Sequence, residues 1–115
     1  MTAVSRSAGD FPSLRSPLAT PPAETPGHGL LAGRKALVTA APGTGIGFST
    51  ARRILLGGGD VLISDWHERR LGEARDKLAE EFPERTVAQL TCNVQDTAEV
   101  DALIAGAAKE LGRID

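Results

Sequence analysis

Three glycines, Gly43, Gly45 and Gly47, lie in the run KALVTAAPGTGIG (residues 35–47), directly after the apolar triplet Ala36, Leu37 and Val38. Glycines spaced this way let a backbone approach a bulky anion and take φ > 0 without strain. The segment FSTARRILL follows at once, with Phe48, Ala51, Ile54 and Leu55 at helical spacing. A helix starting there presents unpaired N–H groups and a positive dipole end. The implied chemistry is non-covalent capture of a phosphate or diphosphate. Asp65 ends the next apolar run, VLIS, eighteen residues after Gly47. A carboxylate at that offset accepts hydrogen bonds from a ribose 2′-hydroxyl and repels a 2′-phosphate, which favours NAD over NADP. Arg69 and Arg70 pull the other way, but they also read as a solvated first turn of a helix.

The remaining reactive residue types are sparse. Cys92 reads as a small strand residue with no His or Asp at a nucleophile's spacing. His28 and His67 are isolated, so no metal-ligand cluster is expected. Trp66 reads equally as a cover for an adenine face and as a partly exposed loop indole. Asp96 reads as a helix cap rather than a ligand contact. There is no tyrosine anywhere in the chain.

These residues need a scaffold of alternating strands and helices. Strand one is expected at about Lys35 to Thr39 and helix one from Gly45 or Ile46 to Leu56. Gly57, Gly58 and Gly59 end that helix, one of them in the left-handed cap conformation. Strand two is expected over Asp60 to Ser64. Helix two follows over Glu68 to Glu81, with Leu71, Ala74, Leu78 and Phe82 on its apolar face and Pro83 as its stop. Strand three is expected at about Thr86 to Thr91. Helix three follows over Thr97 to Leu111, with Val100, Leu103, Ile104, Ala107 and Leu111 inward. Asp96 and Glu99 would form its capping box. Gly112 closes it, and Arg113, Ile114 and Asp115 lead towards a fourth strand.

Alternation with short connections implies parallel strands and right-handed crossovers. The expected fold class is therefore α/β, a Rossmann-type doubly wound parallel sheet in the order 3-2-1, with the fourth strand barely begun. Strand one would then be an open edge. Residues 30–115 form this partial domain. Residues 1–29, with Pro12, Pro17, Pro21, Pro22 and Pro26 among Ser, Thr, Gly and Ala, bury too little to offset their ordering entropy and are expected to be a disordered extension.

A length of 115 residues suits one domain. The net charge of −2 gives no basic field for nucleic acid or anionic lipid. No apolar run is long enough to span a bilayer. Arg6 and Arg15 are not followed by the apolar core of a secretory signal. A single cysteine fits a reducing cytoplasm.

The run Thr39-Ala40-Ala41-Pro42-Gly43-Thr44-Gly45-Ile46-Gly47 resembles the TGxxxGIG fingerprint of short-chain dehydrogenases/reductases. Two departures are visible: Ala40 replaces the first glycine, and the turn is one residue longer. Asn93-Val94 falls where that family carries Asp-Val. TAAPGTGIG together with ISDWHERRLGEARDKL is similar to an actinobacterial branch acting on CoA-linked steroid-ring fragments. The resemblance, over about Leu30 to Asp115, implies a site for NAD. Gly43, Gly45, Ile46 and Gly47 would face the pyrophosphate, Asp65 the ribose, and Asn93 with Val94 the adenine, and Thr39 would be a further cofactor-binding residue. It implies hydride transfer between NAD and a secondary alcohol or ketone in full-length relatives, which are expected to be homo-oligomers. The family's acid/base is a Tyr-x-x-x-Lys pair with a serine. This chain has no tyrosine, and Lys35, Lys77 and Lys109 lie on the wrong elements. No catalytic residue carries over, and the chain alone is expected to be inactive.

Two other classes fit part of the pattern. An S-adenosylmethionine methyltransferase fragment shares the glycine spacing and the acid after strand two, but Ala41 and Pro42 stand where its loop normally has an acid. A non-enzymatic module with a vestigial site would use the open edge to pair with another chain. A P-loop NTPase is excluded, because no Gly-Lys-Ser/Thr follows the turn.

Overall fold

A computed structural model describes residues 20–115. The part of the expected extension before Thr20 lies outside the described residues. The elements are β1 (Lys35–Thr39), α1 (Ile46–Leu56), β2 (Asp60–Asp65), α2 (Glu68–Glu81), β3 (Val87–Thr91) and α3 (Thr97–Leu111). The three strands form one parallel sheet in the order β1-β2-β3. This is the expected Rossmann-like arrangement, with β2 in the middle.

β2 is central because it can be buried on both faces. Val61 and Ile63 pack into a layer with Ala51 and Leu55 of α1 and Leu71, Ala74 and Leu78 of α2. Leu62 faces the opposite layer, formed with Cys92 and with Leu103, Ala107 and Leu111 of α3. A strand covered on both sides reads as a continuous apolar run, and VLIS is one. Val61, Leu62 and Ile63 have no solvent-exposed surface. Ile104, expected inward on α3, is 47% exposed. α3 packs on β2 and β3 through a narrower stripe than its apolar spacing suggests.

The helix ends follow local chemistry. α1 closes in a Schellman arrangement: Gly59 N–H donates to the Ile54 carbonyl and Gly58 N–H to the Leu55 carbonyl. Gly58 takes the left-handed conformation, φ +94. At α3 the Asp96 side chain accepts from the Ala98 and Glu99 N–H groups, the expected cap. The reciprocal half of the capping box differs, since Glu99 accepts from Asn93 N–H instead. The Asp96 N–H is already donated to the Asn93 carbonyl. Gly112 ends α3 at φ +89.

Residues 21–29 contain no helix or strand. Yet Glu24 pairs with Arg52, and the Thr25 carbonyl accepts from Arg53, which ties this segment to α1. Arg52 also holds Glu81 of α2.

The amino-terminal edge of the sheet is clamped by one carboxylate. Asp60 Oδ2 accepts from Lys35 Nζ at 2.5 Å, and Oδ1 accepts from Thr86 N–H at 2.8 Å. Asp60 thus joins the starts of all three strands. Burial pushes its pKa up, but the bonds from Lys35 and Thr86 outweigh it, so the net shift is downward. A depressed folded-state pKa contributes stability that is full above the unfolded value of about 4 and is lost as pH falls through the folded value. Asp60→Asn should therefore lower unfolding stability by about 1–3 kcal/mol at neutral pH. The loss should shrink as the pH is taken below about 4, measured by urea denaturation at several pH values.

Candidate functional site

The site begins at the crossing from β1 into α1. Ala40 takes φ +53, a left-handed conformation that costs a non-glycine residue about 1–2 kcal/mol. This is the position where the sequence lacks the expected first glycine, and the backbone bends there all the same. Ala41 is fully buried, and its N–H donates to the Ser64 carbonyl, anchoring the bend to β2. Gly43 takes φ +89 in the extra length of the turn. At Gly47 an added Cβ would overlap the Ala40 carbonyl. Gly47 is therefore the residue that lets α1 start directly over the bend.

Gly45 is the N-cap of α1 and supplies no side-chain cap. The first intrahelical bond is from Ser49 N–H to the Gly45 carbonyl. The amides of Ile46, Gly47 and Phe48 consequently have no partner within the helix. The first turn carries no acidic residue. A Cβ on Gly45 would meet nothing within 4 Å, so open space adjoins this amide cluster. Ile46 is 87% exposed beside it.

The carboxyl ends of the strands enclose a cavity of about 180 Å³. It is lined by Thr39 and Ala40 at the end of β1, Ser64, Asp65 and Trp66 at the end of β2, and Cys92, Asn93, Val94 and Gln95 after β3. Of the residues singled out from the sequence, Thr39, Asp65, Asn93 and Val94 meet here. Gly43 lines a separate hollow of about 530 Å³ with Thr44, Phe48, Arg70, Glu73 and Lys77. Gly45 and Ile46 line a third hollow along α1. Gly47 alone turns its open side into protein rather than towards a cavity.

Hydrogen bonds preset the cavity walls. Asp65 Oδ2 accepts from His67 N–H at 2.9 Å, which leaves Oδ1 uncommitted among the described residues. Asn93 Oδ1 accepts from Gln95 N–H at 3.0 Å, leaving its amide NH₂ for a ligand. Trp66, 69% exposed, and Val94, 63% exposed, form an apolar rim.

Ser64 is the feature the sequence analysis missed. Its residue is 1% exposed, and its hydroxyl has no partner among the described residues. A buried hydroxyl left unpaired costs about 1–3 kcal/mol. It lies in the wall of a cavity whose other polar groups are also partly free. The only advance signal was a serine inside an otherwise apolar central strand.

The other reactive residues are otherwise engaged. Lys35 is bound to Asp60, and the Lys77 ammonium lies 5.7 Å from the Phe48 ring centroid. Burial pushes the Cys92 thiol up, and the Glu99 and Asp96 carboxylates add to the shift. No cluster of metal-ligating side chains occurs among the described residues. No helix among them is long and apolar enough to cross a membrane.

Two outcomes check this geometry. Gly47→Ala should destabilise the fold by about 1–3 kcal/mol, the range for overpacking against fixed backbone. Gly45→Ala should cost under about 1 kcal/mol, since its φ of −86 suits alanine and its Cβ meets open space. Thermal melts of both variants make the comparison. Separately, Cys92 in the folded chain should alkylate with iodoacetamide at least about tenfold more slowly than in urea at pH 7.5.

Comparison with known proteins agrees with this arrangement. Residues 34–115 match the short chain dehydrogenase family. The chain is 52% identical over 98 residues to the (5R,7aS)-5-hydroxy-7a-methyl-1-oxo-2,3,5,6,7,7a-hexahydro-1H-indene-carboxyl-CoA reductase of Mycobacterium tuberculosis. That match covers 85% of this chain and 37% of the relative. A short chain dehydrogenase from Mycobacterium smegmatis superposes with a TM-score of 0.81 at 55% identity, over 85% of this chain and 40% of that one. An NADPH-bound short chain oxidoreductase with an atypical catalytic centre, from Pseudomonas aeruginosa PAO1, superposes with a TM-score of 0.66 at 29% identity. That match covers 69% of this chain and 30% of the other. The chain thus spans about two fifths or less of the length of these relatives. Its sheet order, its uncapped glycine-rich helix start and its match over residues 34–115 make it a member of the short-chain dehydrogenase/reductase family.

Proposed function

We infer that this chain supplies the dinucleotide-binding part of a short-chain dehydrogenase, with NAD as its preferred cofactor. The observation that carries the reading is the uncapped α1 start at Gly45, facing open space next to the Asp65 cavity. The residues present suit a dinucleotide. Amides at Ile46, Gly47 and Phe48 are donors for a pyrophosphate, with the helix dipole adding to their pull. The free oxygen of Asp65 is an acceptor for ribose hydroxyls. The Asn93 amide is a polar contact for an adenine, with Trp66 and Val94 as apolar cover.

A nicotinamide dinucleotide, when bound, supplies the hydride donor or acceptor for interconverting a secondary alcohol and a ketone. This chain's residues hold and orient its adenosine and diphosphate portions. None of its described side chains is placed to move the substrate's proton, so turnover by these residues alone is not expected. The likeness to the mycobacterial indene-carboxyl-CoA reductase supports a hydroxylated or oxo ring carried as a CoA ester as the substrate class of the complete enzyme. A cytoplasmic setting fits such a substrate and the lone thiol. No basic field supports nucleic-acid binding. The family match sets aside the methyltransferase alternative.

A second cofactor reading has one observation in its favour. Arg70 lines the hollow beside Gly43 together with Lys77 and Glu73, and it makes no ion pair among the described residues. Arg69 is already paired with Glu73. A 2′-phosphate in that hollow would meet Arg70, while the Asp65 carboxylate would oppose it. Titration by calorimetry or NMR with NAD and NADP decides between them. Asp65→Ala should weaken NAD about tenfold, the loss of one charge-assisted hydrogen bond, and leave NADP unchanged or improved. Equal losses for both would remove the ribose assignment. No shift of the Gly45–Phe48 amides with either nucleotide would remove the cofactor reading itself.

A further inference from the structure

Among the described residues the left-handed conformation is taken by Gly29, Gly33, Gly43, Gly58 and Gly112, and by one residue with a side chain, Ala40 at φ +53. At Gly29, Gly33, Gly43 and Gly112 an added Cβ would meet nothing within 4 Å, so glycine stands there for its backbone and not for want of room. Ala40 departs from that rule at a cost that glycine would remove. Its backbone is held in place from both sides. The Ala40 carbonyl lies against Gly47, and the next residue, Ala41, is fully buried and tied to the Ser64 carbonyl. Ala40 itself is exposed, and it lines the cavity of about 180 Å³ with Asp65, Asn93 and Val94. Strain kept at a cavity wall points to a ligand contact, since strained residues persist where function uses them.

We propose, resting on the dinucleotide reading above, that Ala40 is a specificity-determining residue of this crevice, its methyl group packed against the adenosine ribose of the bound nucleotide. What surrounds Ala40 selects the ribose. The same cavity holds the uncommitted Asp65 oxygen that accepts ribose hydroxyls. The amides for the diphosphate begin at Ile46, which lines a different hollow. A methyl group has no hydrogen bond to offer, so its contribution is contact with the C–H face of the sugar. Glycine at this position would leave the bend unstrained and the wall one carbon further from the ligand. The chain thus gives up stability at one residue for a closer fit to the nucleoside.

The test is Ala40→Gly in the full chain, read by thermal melts and by NMR titration with ADP-ribose. The melting temperature should stay level or rise, because relief of the strain equals or outweighs the added freedom of glycine in the unfolded chain. ADP-ribose should bind about fourfold more weakly, the worth of one buried methyl group. At saturation the Ile46, Gly47 and Phe48 amide shifts should match those of the parent chain, since the diphosphate still rests on the helix start. Unchanged or tighter binding of ADP-ribose overturns the proposal. So does a loss that comes with a lower melting temperature or with altered shifts at those three amides, because the bend itself would then have moved. A parent chain that binds no ADP-ribose removes the cofactor reading and this contact with it. A parent that binds, beside a variant that binds equally well, removes the contact alone.

Discussion

The site depends on how closely α1 approaches the end of β1. The helix begins where Gly47 lies against the Ala40 carbonyl, a distance that leaves no room for a side-chain carbon. Because that contact is permitted, the first-turn amides of α1 end up level with the carboxyl ends of the strands. Because Gly45 carries no cap, those amides stay unpaired. The strain of Ala40 in a left-handed conformation is offset by the burial of Ala41 and by the hydrogen bond from Ala41 to Ser64.

The two ends of the sheet are treated oppositely. At the amino end polar groups are satisfied by one another: Asp60 joins Lys35 and Thr86, and Arg52 joins Glu24 and Glu81. At the carboxyl end they are left incomplete. Ser64 has a buried hydroxyl without a partner, and Asp65 and Asn93 each commit one oxygen to a local turn. Polar pairing is thus concentrated away from the crevice, and the donors and acceptors left without partners among the described residues lie at its walls. Parallel sheets favour this division, since every strand delivers its loop to the same end.

The sheet is also uneven from side to side. β2 is sealed on both faces and both edges, whereas among the described residues β1 has a strand partner on one edge and Asp115 at the start of the other. The order of strands puts the glycine turn at the boundary between the finished and the open side. The chain spans about two fifths or less of its relatives' length, and no tyrosine lies within it.

Residue order alone determined the elements, since apolar periodicity and helix-stop residues are local signals. VLIS had to be a central strand, and Leu71, Ala74 and Leu78 had to lie on one helix face. Gly57 to Gly59 had to end α1, and Asp96 had to cap α3. The parallel order followed from the short crossovers. Tertiary structure decided what depends on distances between segments remote in sequence. It separated the roles of the glycines: Gly47 is required by a carbonyl seven residues earlier, while Gly45 borders open space. It left Ile104 exposed although it shares the helical spacing of Leu103 and Ala107. It sent the Glu99 carboxylate to Asn93 rather than to the cap residue, and it left Ser64 buried without a partner. Pattern reading registers which way a side chain points along its own element. Whether another group stands there to meet it is set only when the layers close.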